Sequence, residues 1–320
     1  MLLFSFAIIA GLVLLIWSAD KFVSGAVSTA LNLGMTPIMV GLTVVALGTS
    51  APELIVSATA ALEGSSELAV GNAIGSNIAN IALVLSITIL ISAIPIKDSV
   101  LRTEFPILLL ATLAATYFVW DAELVAFDGI ALLAILIVSL VSLALMQNKV
   151  ADDFDEVKEN AGLTPRKAYS ILFISILFLL ASSHILVWGA TGIARELGVS
   201  ELVIGLTIVA LGTSLPELAA SVASAIKGHH DLALGNIIGS NLFNLLAVLA
   251  IPALIHPPEL DIKALHQDYG VMLALTFGLA LAAYGSRILN RQYIGKIVGV
   301  LLFASYLGYL TLLFQQSVSV

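Results

Sequence analysis

Apolar residues run through this chain in stretches too long for the core helices of a water-soluble domain. The polar positions inside those stretches recur in a second copy. A membrane-crossing helix needs roughly 20 predominantly apolar residues. By that rule the sequence predicts about ten spans, over 2–30, 37–62, 67–92, 102–120, 127–147, 168–194, 201–226, 231–255, 267–286 and 295–315. The longest polar stretch, Gln147 to Lys167, holds ADDFDEVKEN and then Gly162 and Pro165. It reads as a solvated linker over 148–167 that separates two halves, 1–147 and 168–320. Its acidic run lacks the glycine and terminal glutamate of an EF-hand loop, so it is assigned no Ca2+ site. The first apolar stretch has no basic flank and no small-residue cleavage site, and reads as a retained helix rather than a signal peptide.

The halves are copies of one another. Gly41 to Ile87 and Gly205 to Ile251 align without a gap, and about 27 of the 47 positions match, far beyond coincidence in an apolar composition. At the same offset, SADKFVSGA (Ser18–Ala26) matches SSHILVWGA (Ser182–Ala190). Leu101-Arg102-Thr103-Glu104 likewise matches Leu265-His266-Gln267-Asp268. Each half then holds about five helices, and an odd number turns the second half upside down relative to the first. The expected fold is all-α and integral to the membrane, with about ten transmembrane helices in two inverted five-helix repeats, a plan common among secondary transporters.

Composition supports this reading. Charged residues make up 11% of the chain, against about 25% in soluble domains. The net charge of −8 comes mostly from loops and gives no reason to expect a nucleic-acid partner. Nor does any feature call for a cofactor or an obligate protein partner. The basic residues are unevenly placed. Lys97, Arg102, Lys149, Lys158, Arg166, Lys167, Lys227, Arg287, Arg291 and Lys296 fall on one predicted side, and only Arg195 and Lys263 on the other, Lys21 lying within the first span and not counted. By the positive-inside rule the rich side is cytoplasmic, which puts the linker inside and both termini outside. The lack of Cys removes disulfides, thiolate metal sites and a Cys nucleophile. Together with the lack of eukaryotic targeting signals, it fits a prokaryotic inner (plasma) membrane.

The repeated polar residues carry the chemistry. In GTSAPE (Gly48–Glu53) and GTSLPE (Gly212–Glu217), proline removes a backbone N–H and crowds the carbonyl four residues earlier. The helix should kink there, and irregular backbone at membrane depth is tolerated where it is buried in protein or lines a cavity. Carbonyls near Ala46–Thr49 and Ala210–Thr213 become candidate cation ligands. Thr49, Ser50, Thr213 and Ser214 add hydroxyls, and Glu53 and Glu217 add carboxylates. Carboxylates in a membrane span are costly and mark function by default. All-oxygen surroundings suit hard cations such as Ca2+ or Na+. In GNAIGSNIAN and GNIIGSNLFN, a spacing of four puts Asn72, Ser76 and Asn80 on one helix face, and likewise Asn236, Ser240 and Asn244. Ser76, Asn80, Ser240 and Asn244 are expected to face the ion site. Asn72 and Asn236 serve equally well as hydrogen-bond links between helices. The pairs Gly71/Gly75 and Gly235/Gly239 permit close helix approach.

Other polar residues read as structural. His184 stands where the first half has Asp20, a break in symmetry that argues against a shared ligand. His229 and His230 are expected exposed in a short turn. Glu104 and Asp268 are expected near helix N-termini, as caps or dipole partners. Trp17, Trp120 and Trp188 fit interface or packing roles.

The two GTS-x-PE and GN-x-x-GSN-x-x-N motifs, in order and covering essentially the whole chain, resemble the α-repeats of the cation/Ca2+ exchanger superfamily, in its Na+/Ca2+ exchanger branch. The Gly-Asn-x-x-Glu pattern usual in the H+/Ca2+ branch does not surround either glutamate. The resemblance implies a central Ca2+ site shared by Glu53 and Glu217, with Thr49 and Thr213 beside it. It implies flanking Na+ sites at Ser50, Ser76, Ser214 and Ser240 with the carbonyls of Ala46 and Ala210. It also implies that the first helix of each half slides across the core. Some relatives, notably K+-dependent ones, carry Asp at the position of Asn244; with Asn80 also neutral, this chain leans toward K+ independence. The expected function is Na+/Ca2+ antiport. Protons should compete for buried carboxylates, which makes cation/H+ antiport the alternative. A scaffold is disfavoured by the repeated acids, a channel by the inverted broken helices, and an enzyme by the lack of a convergent nucleophile, base and oxyanion arrangement.

Overall fold

The computed structural model describes residues 1–147, 163–198, 208, 210–258 and 260–318. The helices are α1 (Leu2–Leu33), α2 (Pro37–Thr49), α3 (Ala51–Leu62), α4 (Ser66–Ile91), α5 (Asp98–Val119), α6 (Ala126–Gln147), α7 (Pro165–Glu196), α8 (Ala210–Thr213), α9 (Leu215–Ile226), α10 (His230–Ile255), α11 (Ile262–Ile288) and α12 (Lys296–Val318). Among the described residues, eight helices are long and apolar enough to cross a membrane, and α2 with α3 forms a ninth span bent by 43°. The expected span 201–226 is described from Ala210 onward and continues as the apolar α9. The chain is a multi-pass membrane protein. Most of the expected linker lies outside the described residues, as do Lys149 and Lys158. Its end is helical: Pro165 takes the first position of α7 after Thr164, three residues before the expected start at 168. Proline suits that position because its missing N–H would be unpaired there anyway.

Local chemistry sets the helix ends. α1 stops at Gly34, whose φ of 64° lets its N–H reach back to Ala30 O and Leu31 O. Thr36 then caps α2 by accepting from the Met39 N–H, with Pro37 at the first helical position. Inside the spans, Gly41–Val45, Asn80–Leu85 and Asn244–Val248 are wound as π-helix. Such turns carry wider hydrogen-bonded loops and collect at functional sites.

α4 and α10 lie innermost, and their buried faces join α2, α5, α6, α11 and α12 in one apolar core. The long helices α1 and α7 run antiparallel against each other. A Cβ at Gly25 would meet Leu172 N at 2.7 Å, and one at Gly11 would meet Leu186 N at 3.1 Å. Falling residue numbers on one helix meet rising numbers on the other, as the inverted repeat requires. Gly235 and Gly239 press α10 onto α2, where a Cβ would collide with Ile38 O and Leu42 O. The expected close approach at Gly71 and Gly75 is not seen among the described residues, where nothing lies within 4 Å of a Cβ. The segment that symmetry would set there, 201–207, lies outside them.

Several expected roles change. Asp268 sits in the second turn of α11, not at its N-terminus, and hydrogen-bonds Tyr309 on α12. Glu104 opens the second part of α5 as expected, but is buried. His229 and His230 are half-buried rather than exposed. Burial of His229, with the Lys227 charge beside it, pushes its pKa below the ordinary imidazole value. The tryptophans pack against aromatic neighbours: Trp17 on Phe178, Trp188 on Phe4 and Trp120 on His266.

One face of the molecule gathers the basic loops. There Ile94–Pro95 and Tyr293–Ile294 pair as two short antiparallel strands that tie the halves together. Lys97 bonds Asp231 at 2.7 Å and Arg287 bonds Asp98 at 2.7 Å. On the opposite face the Met1 amino group bonds Glu196 at 2.7 Å, and Ser66 Oγ donates to His256 O.

Candidate functional site

The two proline motifs break their helices in the same way. Ser50 has φ −82°, ψ 7° and Ser214 φ −87°, ψ 4°. Each break separates a helical turn ending at threonine (Thr49, Thr213) from a new helix that carries its glutamate in the first turn. The glutamate side chains point inward, and Glu53 and Glu217 are both 0% exposed. The Gly48 and Gly212 carbonyls lose their usual partner to proline. Gly212 O is instead taken by Ser183 Oγ at 2.7 Å. Ala46 O accepts the Ser50 N–H at 2.9 Å and the Thr49 hydroxyl at 3.4 Å, and Ala210 lies in α8.

The two motifs meet at the centre. Ser50 Oγ donates to Glu217 Oε1 of the other half at 3.2 Å. Thr49 Oγ1 lies 3.1 Å from Asn236 Oδ1 and 3.5 Å from Ser240 Oγ, again across the halves. Ser76 Oγ donates to Glu53 Oε1 at 3.5 Å. The two carboxylates are close enough to act on each other through their charges. Asn80 and Asn244, each at the start of a π-helical stretch, are almost fully buried with them. Thr213 is half-buried at the end of α8.

Within this cluster lie polar atoms with no hydrogen-bond partner among the described residues. They are Oε2 of both glutamates, both amide atoms of Asn80 and of Asn244, and Ser214 Oγ. Leaving one such group buried and unmade costs about 1–3 kcal/mol, and more when it is charged. A cation would satisfy the oxygens at once, and the residue set is suited to hard ions.

Asn72 and Asn236 act as links between helices. Asn72 Nδ2 donates to Ser57 Oγ at 3.0 Å and to Glu53 O at 3.1 Å. Asn236 Nδ2 donates to Ser221 Oγ at 2.9 Å and to Glu217 O at 3.4 Å. Each therefore ties the first turn of a glutamate helix to α4 or α10. Ser57 and Ser221 were not singled out from the sequence, although they follow each glutamate by four residues and so share its helix face. Ser183 was equally unmarked. Asn236 makes one contact more than Asn72, because its Oδ1 also accepts from Thr49. At roughly 1 kcal/mol for each hydrogen bond, Asn236→Ala is expected to destabilise the protein by about 3 kcal/mol and Asn72→Ala by about 2 kcal/mol. Denaturation of the purified variants in detergent checks this. Unchanged stability of Asn236→Ala would remove the linking role.

A cleft of about 630 Å³ opens on the basic face between Thr36, the 95–99 loop, Glu104, Asp231 and Arg287. None of the twelve residues expected at the ion site lines it.

The family model described as sodium/calcium exchanger protein matches residues 3–145 and 167–315, one stretch in each half. The chain is similar to the putative antiporter CaxA of Alkalimonas amylolytica, with 46% identity over 99% of this chain and 100% of the relative. It is similar to the inner membrane protein YrbG of Escherichia coli (strain K12), with 39% identity over 99% of this chain and 98% of the relative. Among solved structures it resembles the sodium-calcium exchanger NCX_Mj soaked with Na+ and Sr2+. That match has a TM-score of 0.82 and 31% identity, and covers 97% of this chain and 98% of the other.

Proposed function

The chain belongs to the sodium/calcium exchanger protein family, a cation/Ca2+ exchanger and not an enzyme, and on that premise we propose that it exchanges Na+ for Ca2+ at a site formed by Glu53 and Glu217. The observation that carries the proposal is the pair of fully buried carboxylates, one from each half, surrounded by unpartnered polar atoms. Thr49, Thr213, Ser50, Ser214, Ser76, Ser240, Asn80 and Asn244, with the carbonyls of Ala46 and Ala210, complete the ligand set.

Charge balance then dictates antiport. Two ionised carboxylates carry about two negative charges, which one Ca2+ or at least two Na+ neutralise. Left unpaired in a low-dielectric site, each charge costs several kcal/mol. The empty site therefore resists switching between its two facing states, while the loaded one crosses. More than two Na+ per Ca2+ makes the cycle electrogenic. Inverted repeats rocking about a fixed midplane site supply the switch, with α1 and α7 as the moving pair.

The basic face is proposed to be cytoplasmic, which sets the linker inside and both termini outside. The membrane is proposed to be the inner (plasma) membrane, in line with the name of the similar protein YrbG.

Ca2+ uptake into proteoliposomes loaded with Na+ tests the proposal. Uptake is expected with internal Na+ and not with internal K+ or choline. Uptake that ignores Na+ but follows an imposed pH gradient would overturn it in favour of cation/H+ exchange.

A further inference from the structure

We infer that the chain carries two alternative latches, Asp20–Lys227 and Glu63–His184, and that each facing state closes one of them. The inference rests on the alternating-access reading above. It starts from a contact that the ion site does not use. Lys227, just past the end of the Glu217 helix, reaches α1. Its Nζ lies 2.6 Å from Asp20 Oδ1, 2.7 Å from Asp20 O and 3.4 Å from Ser24 Oγ. This clasp fastens the α1/α7 pair to the core at one face.

The repeat offset maps Asp20 onto His184 and Lys227 onto Glu63. The polarity is reversed but complementarity is kept: acid on the long helix and base on the turn in one half, imidazole on the long helix and acid on the turn in the other. Neither mate is engaged here. Glu63 and His184 are both exposed, and among the described residues neither side chain makes an ion pair or hydrogen bond. An imidazole N–H can donate to a carboxylate, so the second pair is chemically able to close.

The seating of the helix pair explains why one clasp is closed and the other open. Internally, α1 and α7 obey the repeat symmetry. Gly25 abuts Leu172, and its mates Gly189 and Ile8 are also in contact, with a Cβ at Gly189 falling 3.0 Å from Ile8. Their seat on the core does not obey it. A Cβ at Gly48 would meet Ile176 first, at 2.7 Å, and one at Gly212 would strike Val187. α7 therefore covers both broken motifs. Ser183 of α7 also holds Gly212 O, whereas its mate in α1 is Ala19, which has no hydroxyl. Because the two halves share one fold in opposite orientations, exchanging their environments generates the other seat. There α1 covers both motifs through Leu12 and Val23, Asp20 leaves Lys227, and His184 meets Glu63.

The lack of cysteine in the chain makes the test direct. Two double variants, Asp20→Cys/Lys227→Cys and Glu63→Cys/His184→Cys, are reconstituted and treated with a short bis-methanethiosulfonate, which joins two thiols through disulfides, in Na+, in Ca2+ and in choline. Both pairs are expected to cross-link, with yields that move in opposite directions as the cation is changed. Reduction should reverse each cross-link. Lys227→Ala, added to the Glu63→Cys/His184→Cys variant, is expected to raise its yield by about twofold to fivefold, the range of an exposed ion pair. The charge swap Asp20→Lys/Lys227→Asp should bring the yield back. A Glu63→Cys/His184→Cys yield no higher than that of the distant pair Glu63→Cys/Lys227→Cys under every condition overturns the latch, as do yields that rise and fall together. The readout needs no transport. Reciprocal yields without Na+-driven uptake would keep the latch and discard the Na+/Ca2+ assignment.

Discussion

Ca2+ uptake driven by internal Na+ is expected to fall about 10³-fold in Glu217→Gln, and by a similar factor in Glu53→Gln, with the fold intact. Glutamine matches the shape of glutamate, and its amide oxygen can still accept from Ser50 at position 217 or from Ser76 at position 53. What it lacks is the charge. Two unit charges about 4 Å apart interact by about 4 kcal/mol at an effective dielectric of 20. Ca2+ doubles that attraction, while the amide oxygen and the lower desolvation cost return part of it. A net loss of about 4 kcal/mol corresponds to about a thousandfold in affinity. One carboxylate also leaves a Ca2+-loaded site with an uncompensated positive charge, so the crossing step suffers as well as binding. Isotopic Ca2+ uptake and direct Ca2+ titration of the purified variants read the two effects separately. Uptake at the wild-type rate in either variant would place the exchange site elsewhere.

Much of this site was legible in the sequence, because a membrane makes polar residues expensive and a repeat marks them twice. The break at Ser50 and Ser214 follows from proline alone, and the bend of 43° between α2 and α3 bears it out. The burial of Glu53 and Glu217 follows from the same reasoning. The contribution of Ser57 and Ser221 was not legible. A serine in an apolar helix usually bonds its own backbone, and only the approach of α4 and α10 shows that Asn72 and Asn236 meet it. The π-helical turns at Asn80 and Asn244 were equally hidden, since an extra residue in one turn leaves no compositional trace. Asp268 lies away from the helix end expected for it because α11 begins at Ile262, ahead of the expected start at 267. The distinct seating of α1 and α7 on a symmetric core could not be read from a symmetric pattern at all.

Asn244→Asp is expected to convert the site from two negative charges to three and to slow Na+-driven Ca2+ uptake by at least about tenfold at pH 8. Asn244 is fully buried, and both its amide atoms lack a hydrogen-bond partner among the described residues. A carboxylate there would strengthen Ca2+ binding by adding a third anionic ligand to the cluster around Glu53 and Glu217. It would also leave the Ca2+-loaded site with a net charge of about −1. The argument that stops the empty site from crossing then applies to the loaded one, because an unpaired buried charge still costs several kcal/mol. An additional monovalent cation or a proton removes that cost. Uptake by the variant should therefore recover as pH falls, when the new carboxyl takes up a proton, or when K+ is supplied on the Ca2+ side. Tighter Ca2+ binding with slower exchange, relieved by acid or K+, is the expected signature. Slower exchange with weaker Ca2+ binding and no relief would mean that position 244 only packs against the site, and that the neutrality of Asn80 and Asn244 has no part in setting how many cations must cross together.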